Sequence, residues 1–143
     1  MKNISINTDS LRNTLKAISK YGENVRKRAG LHIEKTALNI EDKAKSRVAV
    51  RTGNLRANIY RNVNKEQLSA NVGTNVRYAP YVEFGTGTLV NVPAGLESYA
   101  IQFKGKGVRQ VNLPARPFLF NSTEEERKNY ETGLRNILKI AHK

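Results

Sequence analysis

Apolar residues recur at helical spacing through the first third of the chain and then switch to alternation. Leu11, Leu15 and Ile18 fall at i, i+4 and i+7, with Thr8 or Asp9 placed to cap, which predicts a helix over 8–21 stopped by Gly22. From Asn24 to Val48 a longer run, Val25, Ala29, Ile33, Ala37, Ile40, Ala44 and Val48, advances by three or four residues at each step. Most of that stripe is small, so this second helix is expected to pack closely on its neighbours.

Beyond Val48 the period becomes two. Leu55, Ala57 and Ile59 alternate with Arg56, Asn58 and Tyr60, and Leu68, Ala70 and Val72 alternate with Ser69 and Asn71. With polar Asn62 to Gln67 between them, they predict an antiparallel hairpin with strands over 54–62 and 67–76, reached from the long helix through Gly53. Residues 78–84 read as a short helical turn ending at Gly85, with Tyr81 and Phe84 on adjacent faces.

From Thr86 to Gly107 no strong period holds, a length of about 22 residues that is long for a structureless connection. The segment 87–110 reads as a flexible arm or extended loop, or a second hairpin, ordered only against a partner. Val108, Gln110 or Val111, and Leu113 suggest a further strand before Pro114. The last element is a helix over 122–141: Ser122 and Glu125 make a capping box, Glu124 to Glu126 suit its N-terminus, and Tyr130, Leu134, Ile137, Leu138 and Ala141 form one stripe. The expected class is α+β, with N-terminal helices and a C-terminal helix on a small antiparallel sheet.

A length of 143 residues suits one domain, and 38% apolar residues with 10 glycines bring the composition close to that of folded proteins. No run of about 18 apolar residues is present to span a bilayer, and the first residues lack the apolar stretch of a secretory signal. The chain is therefore expected in the cytoplasm where it is made, without membrane partners. The absence of cysteine removes disulfides, thiolate metal sites and cysteine nucleophiles. His32 and His142 stand alone, so no metal, cofactor or catalytic set is expected.

Charge is the feature that composition makes most of. The net formal charge is +13, and residues 1–62 hold 14 Lys/Arg against 5 Asp/Glu. Lys16, Lys20, Arg26, Lys27, Arg28, Lys35, Lys43, Lys45 and Arg47 lie off the apolar stripes of the first helices. They read either as a solvated face or as a surface for an acidic partner or DNA.

Three segments mix glycine and proline with aromatics and single charges: Arg51-Thr52-Gly53-Asn54-Leu55-Arg56, Tyr78 to Thr86 and Leu113 to Leu119. The first marks the corner between helix and strand, and it lacks the pattern of a phosphate-binding loop. Gly85-Thr86-Gly87 has no third glycine to make a dinucleotide fingerprint. Glu83, flanked by Val82 and Phe84, calls for a partner, which Arg51, Arg77 or Arg116 can supply as a structural or interfacial ion pair. Pro114 and Pro117 restrict the approach to the last helix, with Phe118 and Leu119 directed to the core.

Taken in order, the T-G-x-L-R corner (Thr52, Gly53, Leu55, Arg56), the Y-A-x-Y-V-E-F-G-T segment (Tyr78, Tyr81, Glu83, Phe84, Gly85, Thr86) and the P-A-R-P-F-L segment (Pro114, Arg116, Pro117, Phe118) resemble the tail-completion or head-tail joining proteins of long-tailed bacteriophages. The resemblance covers roughly residues 8–140 and implies a small, non-enzymatic virion subunit. It implies a homo-oligomeric ring, a hexamer being favoured, at the junction of capsid and tail. Its partners there would be head connector or stopper proteins and tail terminator or tail-tube proteins, with DNA in the lumen as a further target. The competing reading is a basic nucleic-acid-binding protein. Against it, Tyr78, Tyr81 and Phe84 lie among apolar residues in the sequence and not among basic ones.

Overall fold

The computed structural model describes residues 8–49, 51, 53–104 and 112–140. Helix α1 (Thr8–Arg47) leads to a single helical turn, α2 (Asn54–Ala57), and then to the hairpin β1 (Ile59–Asn64) and β2 (Ser69–Thr74). A short helix α3 (Ala79–Phe84) follows, then a 3-10 turn over Gly87–Leu89, helix α4 (Glu97–Ala100) with a further 3-10 turn over Ile101–Lys104, and the closing helix α5 (Leu119–Ile140). The α+β class predicted from the sequence is the class observed.

Helix α1 is one unbroken element where two were predicted. Gly22 has no positive φ and lies within it. A glycine inside a helix costs about 1 kcal/mol relative to alanine, which a helix of 40 residues absorbs when no proline follows to finish the interruption. At about 1.5 Å per residue, α1 is about 60 Å long, against about 33 Å for α5. The small stripe does what its composition predicts: Ala29, Ile33, Ala37, Ala44 and Val48 are buried, and α5 and the hairpin both pack on α1.

Because α5 is the shorter helix, the N-terminal part of α1 extends past it. Residues 12–24 are exposed throughout, and Leu15 and Ile18 keep 58% and 60% of their surface in solvent. The covered part begins near Gly30, where Leu68 of the hairpin turn comes within 3.7 Å of the position a Cβ would take. On the α5 side the two helices meet closely at Gly133, beside the His32 ring, which stacks on Tyr130 at 5.6 Å.

The hairpin pairs Ile59 with Thr74 through to Asn64 with Ser69. Its first strand starts later than predicted, because Leu55 to Ala57 close a helical turn instead: the Ala57 amide donates to the Gly53 carbonyl at 2.9 Å. Leu55 and Ile59 are still both buried, being four residues apart on a turn followed by a strand. They join Ala44, Val48, Ala79 and Phe118 in the core.

Helix α5 begins at Leu119, not at Ser122, so the predicted capping box is not formed. Ser122 is fully buried inside the helix, donating to the Phe118 carbonyl at 2.6 Å and accepting from Arg47 at the same distance. Leu138 is 55% exposed and stands off the predicted stripe, and Ala141 lies outside the described residues. The strand proposed over 108–113 is not seen at 112–113, and 105–111 lie outside the described residues. Between 87 and 104 the chain forms short helical turns and no second hairpin.

Candidate functional site

The three motif segments, separated in sequence by tens of residues, meet around one groove of about 650 Å³. The corner after α1 brings Val48, Arg51 and Gly53 to it, and α2 brings Leu55 and Arg56. Tyr78, Tyr81 and Val82 come from α3 and the residue before it, and Leu113, Pro114 and Arg116 come from the strap leading to α5. Thr52 lies outside the described residues.

The strap is held against α3 by paired backbone contacts. The Arg116 amide donates to the Val82 carbonyl at 2.8 Å and the Thr86 amide to the Leu113 carbonyl at 2.9 Å, while the Leu113 amide donates back to Thr86 Oγ1 at 2.9 Å. Gly85 permits this approach. Its φ of 75° and ψ of −171° belong to a region that glycine alone occupies comfortably, and an added Cβ would lie 2.6 Å from the Leu113 carbonyl oxygen.

Glu83 fixes the far end of the strap, and its partner is not an arginine. Its Oε2 accepts from the Phe118 and Leu119 amides at 2.9 and 3.0 Å, and its Oε1 accepts from the Phe120 amide at 2.7 Å. The carboxylate thus caps α5 from another helix, satisfying donors that the first turn leaves orphaned and meeting its positive end. The predicted pairing with Arg51, Arg77 or Arg116 is therefore corrected: Arg116 lies on the exposed side of the strap, while Phe118 is buried as expected. The sequence carried the signal of a buried acid, but no local pattern announces a cap supplied from 35 residues away.

The arginines of the groove stand differently. Arg51, Arg56 and Arg116 are exposed and make no ion pair among the described residues, and no Asp or Glu lines the groove. Tyr78 and Tyr81 are each 43% exposed beside them, whereas Phe84 is buried and meets Tyr99 edge-on at 5.8 Å. The sequence expectation that these tyrosines stand apart from basic residues is thus overturned by the fold, which brings the arginines of two other segments to them. A second groove of similar volume lies across α3, between β2, residues 94–99 and the start of α5.

The basic face of α1 divides. Lys43, Lys45 and Arg47 are taken up by carboxylates: Lys43 by Glu126 at 2.6 Å and Glu125 at 3.1 Å, Lys45 by Glu41, and Arg47 by Glu125. Arg26 donates to the Glu66 carbonyl of the hairpin turn. Lys16, Lys20, Lys27, Arg28 and Lys35 are exposed, and all but Lys35 lie in the first 21 residues of α1. No helix among the described residues is long and apolar enough to cross a membrane.

A buried carboxylate thus holds a strap that borders one exposed, arginine-bearing groove, and the N-terminal part of α1 extends beyond α5. The chain belongs to the HK97-gp10-like family, described as "Bacteriophage HK97-gp10, putative tail-component", whose model matches residues 9–85. That match runs from the second residue of α1 to the glycine that ends α3, so it takes in the first motif segment and all of the second but Thr86, and stops before the third. Neither a curated protein nor a solved structure gives a match. The family places the protein among bacteriophage tail components, a structural role in the virion.

Proposed function

We infer that the protein is a ring-forming subunit at the head-tail junction, which completes the tail and joins it to the head connector without catalysing a reaction. The observation that carries this reading is the joining of all three motif segments into one braced surface. Glu83, Gly85 and Thr86 hold a strap in place, and Arg51, Arg56 and Arg116 stand exposed on the surface it borders, facing contacts outside the subunit. Six copies are the favoured number. Connector or stopper proteins on the head side and terminator or tube proteins on the tail side are the partners, and the projecting part of α1 is the element with reach to meet neighbours.

The test is head-tail joining in extracts that lack this protein. Adding the purified chain restores infectious particles in this reading, and accumulation of finished tails that still join heads in its absence contradicts it. The nucleic-acid reading keeps one specific support, the exposed Lys16, Lys20, Lys27 and Arg28 on the α1 extension. It predicts DNA binding by the free subunit that weakens steeply with salt and is lost when these four become glutamine.

A further inference from the structure

We propose that the groove between α2, α3 and the strap is a docking site for an acidic, extended polypeptide segment that carries a large apolar side chain and belongs to a different protein. Arg51, Arg56 and Arg116 line it, and no Asp or Glu is among its described lining residues. Guanidinium groups present planar donor forks that match carboxylates in pairs, and an arginine left without an internal partner is available for one from outside. The overall charge of +13 steers an acidic chain toward this surface.

The floor selects among anions. Val48, Leu55 and Val82 line the groove with hydrocarbon, and the half-exposed rings of Tyr78 and Tyr81 stand beside them. A pocket of this kind seats an aliphatic or aromatic side chain, and tyrosine with arginine is the pairing enriched where binding energy concentrates. A sugar-phosphate backbone offers the charge but not the side chain. A second copy of this chain is a poor occupant, because its own carboxylates are largely engaged: Glu34 with Lys65, Glu41 with Lys45 and Arg61, Glu83 with amides, and Glu125 and Glu126 with Lys43.

The proposal deepens the reading of the protein as an assembly subunit. Peptide binding by the isolated chain reports on the groove alone, while joining of heads to tails reports on that reading, so the two fail separately. The probe is a fluorescent, end-blocked peptide of Asp and Glu around a central Leu-Phe pair, titrated by anisotropy against the full chain. Its lysine counterpart and an oligothymidine serve as competitors.

Saturable binding of the acidic peptide is expected, weakened by at least about tenfold in Arg51→Ser/Arg56→Ser/Arg116→Ser. Removing the same charge elsewhere, in Lys16→Gln/Lys20→Gln/Lys27→Gln, is expected to change it by less than about twofold. Should the groove triple lose its fold by circular dichroism, Arg56→Glu alone, at an exposed position on α2, takes its place with the same expected loss. Equal weakening in the two triples, absence of saturable binding, or preferential capture of the oligothymidine in a manner that depends on the three arginines overturns the proposal.

Discussion

Glu83 and Phe118 are joined across 35 residues by a hydrogen bond of 2.9 Å from the Phe118 amide to the Glu83 carboxylate, and this contact sets where the last helix begins. The carboxylate is buried, takes two further amides in the same turn, and sits one residue before the core ring of Phe84. Placement of α5 therefore depends on α3, and the strap that borders the groove is fixed at both ends by the same four-residue stretch, Glu83 to Thr86.

Replacing Glu83 with alanine leaves three amides of the first turn without their acceptor. Each unsatisfied buried donor costs about 1–3 kcal/mol, so Glu83→Ala is expected to cost at least about 3 kcal/mol and Glu83→Gln, which keeps one acceptor, less, at about 2 kcal/mol. Arg116→Gln is expected to change stability by less than about 0.5 kcal/mol, as an exposed residue outside the cap should. Urea denaturation of the three variants checks this. A matching loss in Arg116→Gln would restore an ion pair between the two.

Gly85 and Gly53 both have positive φ, 75° and 74°, but they differ in their surroundings. An added Cβ at Gly85 meets three backbone atoms between 2.6 and 2.8 Å, whereas at Gly53 no atom of the described residues lies within 4 Å. Gly53→Ala is expected to cost about 1 kcal/mol from conformation alone and Gly85→Ala at least about 3 kcal/mol, with the strap displaced. Thermal unfolding of both variants should show this order, and an equal loss would remove the close approach from the account.

Gly22→Ala is expected to stabilise the extending part of α1 by about 0.5–1 kcal/mol, because the helix runs through this position and no atom of the described residues crowds it. The reading is an increase in helical circular dichroism and slower amide exchange over residues 12–24. A decrease in helicity would place a helix end at Gly22 after all.

Acid should loosen the packing of α5 on α1. Hydrogen bonds from Lys43 hold Glu126 and Glu125 below their ordinary value of 4.5, and Lys45, followed by Arg61, holds Glu41 below it against the effect of burial. Groups with lowered folded values contribute stability in full above about 4.5, and lose it as pH falls below that value through their own. Lys43 is raised above 10.5, chiefly by Glu126, so its share is present below that pH and fades as pH climbs past it. The melting temperature is expected to hold a plateau between these limits and to fall below pH 4.5, less steeply in Glu126→Gln. A melting temperature that does not fall in acid contradicts the assignment of these pairs.

Much of this architecture was legible in the sequence, and the exceptions share a cause. The Ala29-Ile33-Ala37-Ala44-Val48 stripe, the hairpin and the α3 turn ending at Gly85 were read from period and glycine placement, both local signals. Gly22 was misread because a lone glycine is a weak stop when helix formers flank it. Ser122 and Glu125 satisfied the local pattern of a capping box, but a carboxylate from α3 reached the helix first and moved its start to Leu119. Likewise Tyr78 and Tyr81 seemed apart from basic residues until the strap and the α1–α2 corner placed three arginines beside them. Contacts made between segments distant in the chain leave no spacing to read.

The proposal that this chain forms a ring at the head-tail junction and meets other chains through the braced surface is open to a direct measurement. Electron cryomicroscopy of intact particles, with this protein located in the map, tests it most directly. The account predicts a closed ring, six copies being favoured, between connector and tail tube, with Arg51, Arg56 and Arg116 against another chain. A protein found as a single copy, or as a ring whose groove faces open solvent, would contradict it.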